Sequence, residues 1–248
     1  MLKKERQAYI IQQINIHNKV LSSDLCVQLN VSEDTVRRDL QELDEEGKLT
    51  KVHGGALSKS FHFTLQNNNI YLQSEKKIIA HKAMQLIKDG MFVLLSGGTT
   101  IIELIRSLPE ELNATFITAS IPTALELLNH PNSEVIFLGN KLLKSVQMAV
   151  GAEVVKRLSE IRADLCFLGT NSIDADKGIT DLEWEVIEVK RAMIACAHKT
   201  VSLAISEKLN TIQRLQVCKM EEINTLITEL YPEDPLLQSY KSKGITIL

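Results

Sequence analysis

The stretch from Val31 to Leu43, Val-Ser-Glu-Asp-Thr-Val-Arg-Arg-Asp-Leu-Gln-Glu-Leu, constrains the chain more than any other. Ser32 can accept a hydrogen bond from an early helical N–H, and Glu33 and Asp34 place negative charge at the positive end of a helix dipole. Val36, Leu40 and Leu43 recur at spacings of four and three, so they form one stripe of a helix that must be buried. At about 100° per residue, Asp34, Arg38 and Gln41 face the opposite way, with Thr35 and Arg37 on the two flanks. Two adjacent arginines on the exposed face of a short, docked helix suit the major groove of DNA.

The neighbouring residues turn this helix into a motif. Ser22 to Leu29 reads as a second short helix, capped by Ser22 or Ser23, with Leu25 and Leu29 four apart. Asn30-Val31-Ser32 then forms a tight turn, which gives a helix-turn-helix whose second helix enters the groove. Residues 47–56 alternate polar and apolar side chains between glycines, as a small hairpin would, and form a wing carrying Lys51 and His53. His53 has no partner at metal-ligand spacing, so wing geometry or a phosphate contact is its expected role. A first helix over residues 3–17 supplies core through Ile10, Ile14 and His17, or through Ala8, Ile11 and Ile14, and Val20-Leu21 can pair with the wing. Residues 1–56 are therefore expected to be a winged helix that contacts double-stranded operator DNA. The candidate DNA-binding residues are Ser22, Ser32, Asp34, Thr35, Arg37, Arg38, Gln41, Lys51 and His53.

Charge raises an objection. The chain has a net charge of −3, and residues 1–56 hold eight basic and nine acidic side chains. The answer is local: Arg37, Arg38, Lys48, Lys51 and Lys59 lie on the helix and wing, while Glu42, Asp44, Glu45 and Glu46 gather at the helix's far end. Those acids repel phosphates, so the helix should enter the groove by its N-terminal half. Modest affinity per copy favours a homo-oligomer that spans several sites. The four cysteines are scattered without a Cys-x-x-Cys pair, which argues against a zinc site and against a disulfide framework, and no metal or cofactor is expected. An acid interrupts the basic cluster of residues 1–6 and no long apolar run occurs anywhere, so neither a secretory leader nor a membrane span is expected, and a cytoplasmic location is.

Residues 57–74 lose periodicity and read as a linker, with Phe61, Phe63 and Tyr71 suggesting docked parts. From residue 75 to 248 the chain alternates helix and strand. Apolar strands are expected at 91–95, 115–118, 134–138, 164–168, 200–204, 225–228 and 245–248, and helices at 75–88, 99–107, 122–129, 151–160 and 183–195. That pattern describes an α/β domain with a mainly parallel sheet covered on both faces, and ligands of such sheets bind beyond the carboxyl ends of the strands. Ser96-Gly97-Gly98-Thr99-Thr100 joins the first strand to a helix N-terminus, an arrangement that suits a phosphate, without the lysine of a Walker loop. Thr118 and Ser120, Gly169 and Thr170 with Asp174, and Lys208 stand at or just past other strand ends and complete one cleft. Glu185 and Lys190 lie five apart on one helix and face either the cleft or solvent, and Trp184 packs near the cleft.

The succession Val31-Ser32-Glu33-Asp34-Thr35-Val36-Arg37-Arg38-Asp39-Leu40, Gly47 and Val52-His53-Gly54-Gly55-Ala56 resembles the N-terminal signature of the DeoR family of bacterial transcription regulators. The second half resembles that family's sensor domain, which is similar in fold to phosphosugar isomerases. The matching motifs are Ser96 to Thr100, Phe167-Leu168-Gly169, Ile173-Asp174, Gly178-Ile179-Thr180, Glu185 with Val189-Lys190-Arg191-Ala192-Met193, and Lys208. The resemblance implies a repressor of sugar-use genes that leaves DNA when a phosphorylated sugar binds. Ser96, Ala119 and Ile205 stand where the family commonly has Asp, Asn and Asp, which implies an atypical or weakly bound effector. Two other readings remain: an isomerase-type enzyme with an accessory N-terminal domain, and a DNA-binding protein without an effector.

Overall fold

The computed structural model describes residues 1–17, 19–58 and 70–248. The expected turn at Asn18, the basic contribution of Lys59 and the docking of Phe61 and Phe63 lie outside the described residues. The chain divides into two compact units, Met1–Tyr71 and Leu72–Leu248.

In the first unit, α1 (Lys3–His17), β1 (Lys19–Leu21), α2 (Ser22–Leu29) and α3 (Glu33–Glu45) are followed by β2 (Leu49–Val52) and β3 (Gly55–Ser58). Ile10 and Ile14 of α1, Leu25 of α2, Val36, Leu40 and Leu43 of α3 and Leu49 are almost wholly buried together. Ala8 is exposed, so α1 uses the stripe of Ile10, Ile14 and His17. The α3 start is as expected, since the Ser32 hydroxyl accepts the Thr35 N–H at 3.4 Å. At α2 the expectation fails. The residue before the helix is Leu21, no side chain caps it, and Ser22 is its first residue, its N–H donating to the Gly54 carbonyl at 2.8 Å. The neighbouring hairpin thus satisfies the first N–H of the helix in place of a side-chain cap.

The wing forms an antiparallel sheet in the order β1-β3-β2, with β1 pairing as expected. Val20 lies opposite Ala56, and a Cβ on Gly55 would stand 2.0 Å from the Val20 carbonyl oxygen, so only glycine lets the strands meet. On the other side, α1 and α3 are joined by a paired hydrogen bond from the Arg6 guanidinium to Asp39, which is only 1% exposed. Glu42, one turn further on, accepts from Lys3 at 2.7 Å and from Gln7 at 2.8 Å.

The second unit contains α4 (Gln73–Met84), β4 (Phe92–Leu95), α5 (Thr99–Arg106), β5 (Thr115–Thr118), α6 (Ile121–Leu127), β6 (Glu134–Phe137), β7 (Lys141–Leu143), β8 (Met148–Val150) and α7 (Ala152–Ser159). It continues with β9 (Ala163–Gly169), β10 (Ser172–Asp174), β11 (Gly178–Asp181), α8 (Trp184–Cys196), β12 (Ala197–Leu203), β13 (Leu215–Cys218), β14 (Thr225–Ile227), α9 (Gln238–Lys241) and β15 (Thr246–Ile247). Seven strands form one parallel sheet in the order β15-β14-β12-β9-β4-β5-β6. From β4 the chain builds outward through β5 and β6, and from β9 it builds the other way through β12, β14 and β15. The winding reverses between β4 and β9, which opens a crevice at their carboxyl ends.

The expected strands of this sheet all occur. The antiparallel pairs β7-β8 and β10-β11-β13 were not foreseen, because strands of three or four residues set among turn residues carry too short an alternation to register. The first helix of the unit ends at Met84 and not at Lys88.

Replacing Gly55 by Ala should push β1 and β3 apart and destabilise the first unit by about 3 kcal/mol, the upper end of ordinary overpacking costs. A thermal melt of the purified variant followed by circular dichroism should show an early transition that the parent protein lacks.

Candidate functional site

The face opposite the buried stripe of α3 has the composition expected of it. Arg37 and Arg38 are exposed, and Arg38 pairs with Asp34 one turn earlier at 2.6 Å. Arg37 has no ion pair among the described residues. Lys51, on β2, donates to the Gln41 side chain at 2.7 Å, and its own N–H donates to Asp44 at 3.3 Å, so the wing is tied to the helix it flanks. Arg37, Arg38, Gln41, Glu42 and Lys51 line one shallow concavity. His53 and Gly54 are exposed at the wing tip, while Thr35 is half-buried and its hydroxyl lies 2.9 Å from that of Ser32. Ser22 is anchored through its backbone at the start of α2. The acids at the far end of α3 are largely engaged: Glu42 by Lys3 and Gln7, Glu46 by Lys48 at 2.6 Å, and Asp44 by the wing backbone.

In the second unit, the crevice between β4 and β9 is stitched by Ser96. Its N–H donates to the Phe167 carbonyl at 3.1 Å and its hydroxyl accepts the Gly169 N–H at 2.7 Å. A Cβ on Gly169 would stand 2.4 Å from the Gly97 carbonyl oxygen, so the two loops touch through their backbones. Gly98 has φ +123°, and the α5 N-terminus that follows it has no side-chain cap, so its first N–H groups carry the positive end of the helix dipole.

The hydroxyls of Thr118 and Ser120 are used inside the fold. Thr118 accepts the Ser120 N–H at 3.1 Å, Ser120 caps α6 by accepting the Thr123 N–H at 3.4 Å, and Thr123 donates to the Ser96 carbonyl at 3.0 Å. Thus the two residues brace the Gly loop from behind. Asp174 accepts the N–H groups of Asp176 and Lys177, both at 2.9 Å, and shapes the β10-β11 turn. Glu185 pairs with Lys141 at 2.8 Å on the surface. Trp184 is 62% exposed, contrary to the packed position expected for it, because it is the first residue of α8 and points away from the helix's apolar side. Ala119 and Ile205 are buried, 3% and 1% exposed, and Ala119 belongs to the apolar core of the sheet.

Cations gather around the end of β9. Lys190 donates to the Gly169 carbonyl at 3.1 Å and to Asp181 at 2.8 Å in a pair whose side chains are 8% and 9% exposed. Lys208 donates to the next carbonyl, that of Thr170, at 2.7 Å, and the Thr170 hydroxyl lies 2.6 Å from that of Ser202. Burial raises the Asp181 carboxyl, but the Lys190 charge, its hydrogen bond and those from the Leu182 N–H and Asn171 outweigh burial and hold it below the ordinary carboxylate value. Burial, with repulsion from Lys76 and Lys190, brings Lys208 down to about 7. Burial likewise brings Lys76, on α4, down to about 8.

Asp181 and Lys76 escaped the reading of the sequence. Asp181 is separated from Lys190 by a strand end, a turn and half a helix, and no periodicity links them. Lys76 did leave a signal: with Ile79, Ala80 and Ala83 it occupies the buried stripe of α4, and a lysine at such a position calls for a reason.

A helix-turn-helix unit together with an α/β sheet whose winding reverses beside a Gly-rich turn has the architecture of a ligand-sensing transcription regulator. Residues 6–61 match the DeoR-like helix-turn-helix domain and residues 72–230 match the DeoR C terminal sensor domain, and the chain belongs to the DeoR family. It is 32% identical over 254 residues to the HTH-type transcriptional repressor GlcR of Bacillus subtilis, covering 100% of this chain and 96% of that one. It is 31% identical over 240 residues to the lactose phosphotransferase system repressor of Staphylococcus epidermidis, covering 92% and 93%. Among solved structures, ribose 5-phosphate isomerase A of Methanocaldococcus jannaschii aligns with a TM-score of 0.43 at 20% identity, over 56% of this chain and 55% of that one, a likeness from which nothing about activity follows. The curated relatives are regulators, and the reading as an enzyme with an accessory domain is set aside. Among the described residues no helix is long and apolar enough to cross a membrane.

Substituting Asp181 by Asn should cost the second unit about 3–5 kcal/mol at pH 7, because Lys190 would be left buried beside a neutral group. The parent carboxyl is depressed in the folded state, so its contribution is present above about pH 4 and is lost as pH falls through the folded value. Calorimetric melts from pH 7 to pH 3 should therefore show a steep acid loss in the parent and a flatter one in Asp181→Asn.

Proposed function

We propose that the chain represses carbohydrate-use genes by holding operator DNA with its winged helix, residues 1–56, and releases it when a phosphorylated sugar enters the crevice of residues 75–248. The observation that carries this reading is the Ser96–Thr100 loop: uncapped backbone N–H groups at the β4-β9 reversal, with the half-buried Lys208 ammonium at the Thr170 carbonyl, favour a phosphoryl group. The repressor names of the relatives support the direction of control.

On the DNA side, the N-terminal half of α3 enters the major groove, with Arg37 and Arg38 on base edges or phosphates and Gln41 near its limit. Lys51 and His53 follow the wing along the backbone, and Ser22, Ser32, Asp34 and Thr35 fix the entry of α2 and α3. A homo-oligomer places several such helices on one operator, which makes up for the weak electrostatics of a single copy. Effector binding releases DNA by favouring an oligomer arrangement in which the helices no longer match the half-site spacing. In the crevice, Thr99, Thr100 and Gly98 hold the phosphoryl group while Thr170 and Gly169 shape the wall. Ser96, engaged between the strands, and the apolar Ala119 and Ile205 leave fewer groups for sugar hydroxyls, so the effector is atypical or held weakly.

Fluorescence anisotropy on the DNA flanking the protein's own gene, at fixed salt, tests both halves. Specific binding relieved by at least one phosphosugar is expected, and turnover of that compound is not. Arg37→Ala should weaken operator binding by about 1–3 kcal/mol, the range of one good base contact, with the fold unchanged. Specific binding untouched by a broad phosphosugar panel would overturn the effector half, and absence of specific binding would overturn the DNA half.

A further inference from the structure

The strand β6, Glu134-Val135-Ile136-Phe137, closes one side of the seven-stranded sheet, and among the described residues no strand pairs with its outer edge. The N–H groups of Glu134 and Leu138 donate to the Ala114 and Thr118 carbonyls, so the even-numbered residues bond inward, and Val135 and Phe137 turn their N–H and C=O groups outward. Such edges are ordinarily blunted by lysine, proline or a bulge, and β6 has none of these. It carries apolar surface instead. Ile136 and Phe137 are each more than a third exposed, whereas Phe116 and Ile117 beside them on β5 are buried. On α6, which packs on β5 and β6, Glu126 pairs with Arg106 of α5 at 2.8 Å. Leu128 is two residues further on, about 200° round the helix, and so projects away from α5 toward the open edge, 69% exposed, with the exposed Leu125 one turn back. Four side chains of this size, nearly half exposed, offer roughly 350 Å² of apolar surface, before the strand backbone and its polar flanks are counted, against the about 800 Å² that a stable dimer takes from each partner.

We infer that β6 is the contact strand between two copies of this chain, which join their sheets edge to edge across a two-fold axis at Ile136. This names an interface of the homo-oligomer proposed above and rests on that reading. A second copy is the fitting occupant because the edge is complementary to itself. With β6 antiparallel to its own copy and Val135 opposite Phe137 of the second copy, both outward-facing residues in both chains exchange N–H and C=O bonds. The side chains match in the same register. Val135 meets Phe137 of the second copy on one face and Ile136 meets its own counterpart on the other, pairings of β-branched and aromatic residues that sheets favour. Glu134, the one charge on the strand, stands opposite Leu138 and about 13 Å along the strand from its counterpart, so like charges do not oppose the join. The two α6 helices then lie side by side, and Leu125 and Leu128 of each cover the seam. A two-fold contact closes on itself, so both edges are covered and no filament grows.

The test is the mass of the full chain in solution, by light scattering during gel filtration at micromolar concentration. Ile136→Lys sets two ammonium groups against each other at the axis and should halve the mass of the assembly. Val135→Pro should do the same for a different reason: the N–H it removes points away from β5, so each copy keeps its own ladder. Cooperative melting of each variant checks that it is folded. Operator affinity should fall about a hundredfold or more in both, although α3 is untouched. Ile136→Cys reads the register. Facing residues of a non-hydrogen-bonded pair lie about 4.5 Å apart at Cα, within disulfide reach, so mild oxidation should give a covalent dimer, whereas Glu134→Cys should cross-link no more than the parent protein. An assembly of unchanged mass in Ile136→Lys and Val135→Pro, with no cross-link at position 136, would overturn the role of β6 and leave the homo-oligomer reading standing. A parent protein that is monomeric, its edge then left for a different protein, would overturn both.

Discussion

The structure of the sensor depends on a single hydroxyl. Ser96 accepts the Gly169 N–H and so ties the carboxyl ends of β4 and β9, while Asp164 accepts the Phe92 N–H at their other end. Everything around the crevice takes its position from this join. Gly97 lies against Gly169 because the strands are drawn together, Thr123 reaches the Ser96 carbonyl, and Lys190 and Lys208 arrive at the next two carbonyls from the far side. An aspartate in place of Ser96 would bring a longer, charged side chain to the same point. Here the residue acts inside the protein, and the crevice floor is correspondingly firm and plain.

The DNA-binding unit was legible because its determinants are local. Cap, stripe and exposed arginines of α3 fall within a dozen residues, and the turn and hairpin beside it have their own short signatures. The order of elements in the sensor was legible for the same reason, through apolar strands separated by helical stretches. What stayed hidden is non-local. The Arg6-Asp39 bond spans α1 and α3, Asp181 meets Lys190 across a turn, and the hydroxyls of Thr118 and Ser120 turn inward because α6 starts where they stand. A polar residue at a strand end reads the same whether it faces a ligand or caps a helix, and only the packing of the next element decides between them. Lys76 is the intermediate case: its place on the buried stripe of α4 was visible, but no periodicity ties it to the segments that pack around it.

The two units handle charge in contrasting ways. In the winged helix nearly every carboxylate near the recognition face has a partner, so the acids that argue against DNA on composition are muted where they stand. In the sensor, burial lowers the proton affinity of Lys76 and Lys208, while Lys190 is held in a pair with Asp181.

The near balance of charge over residues 1–56 has a consequence for how such a protein finds its target. Affinity for arbitrary DNA comes almost wholly from phosphate neutralisation, and a unit with eight basic and nine acidic residues has little of it to offer. Few molecules are then held on the vast excess of irrelevant sequence, and the search proceeds by free diffusion more than by sliding along the duplex. In the homo-oligomer proposed above, occupancy of the operator rests on base contacts and on several helices engaging at once. In such an oligomer, losing one helix from its site weakens the hold of all the others.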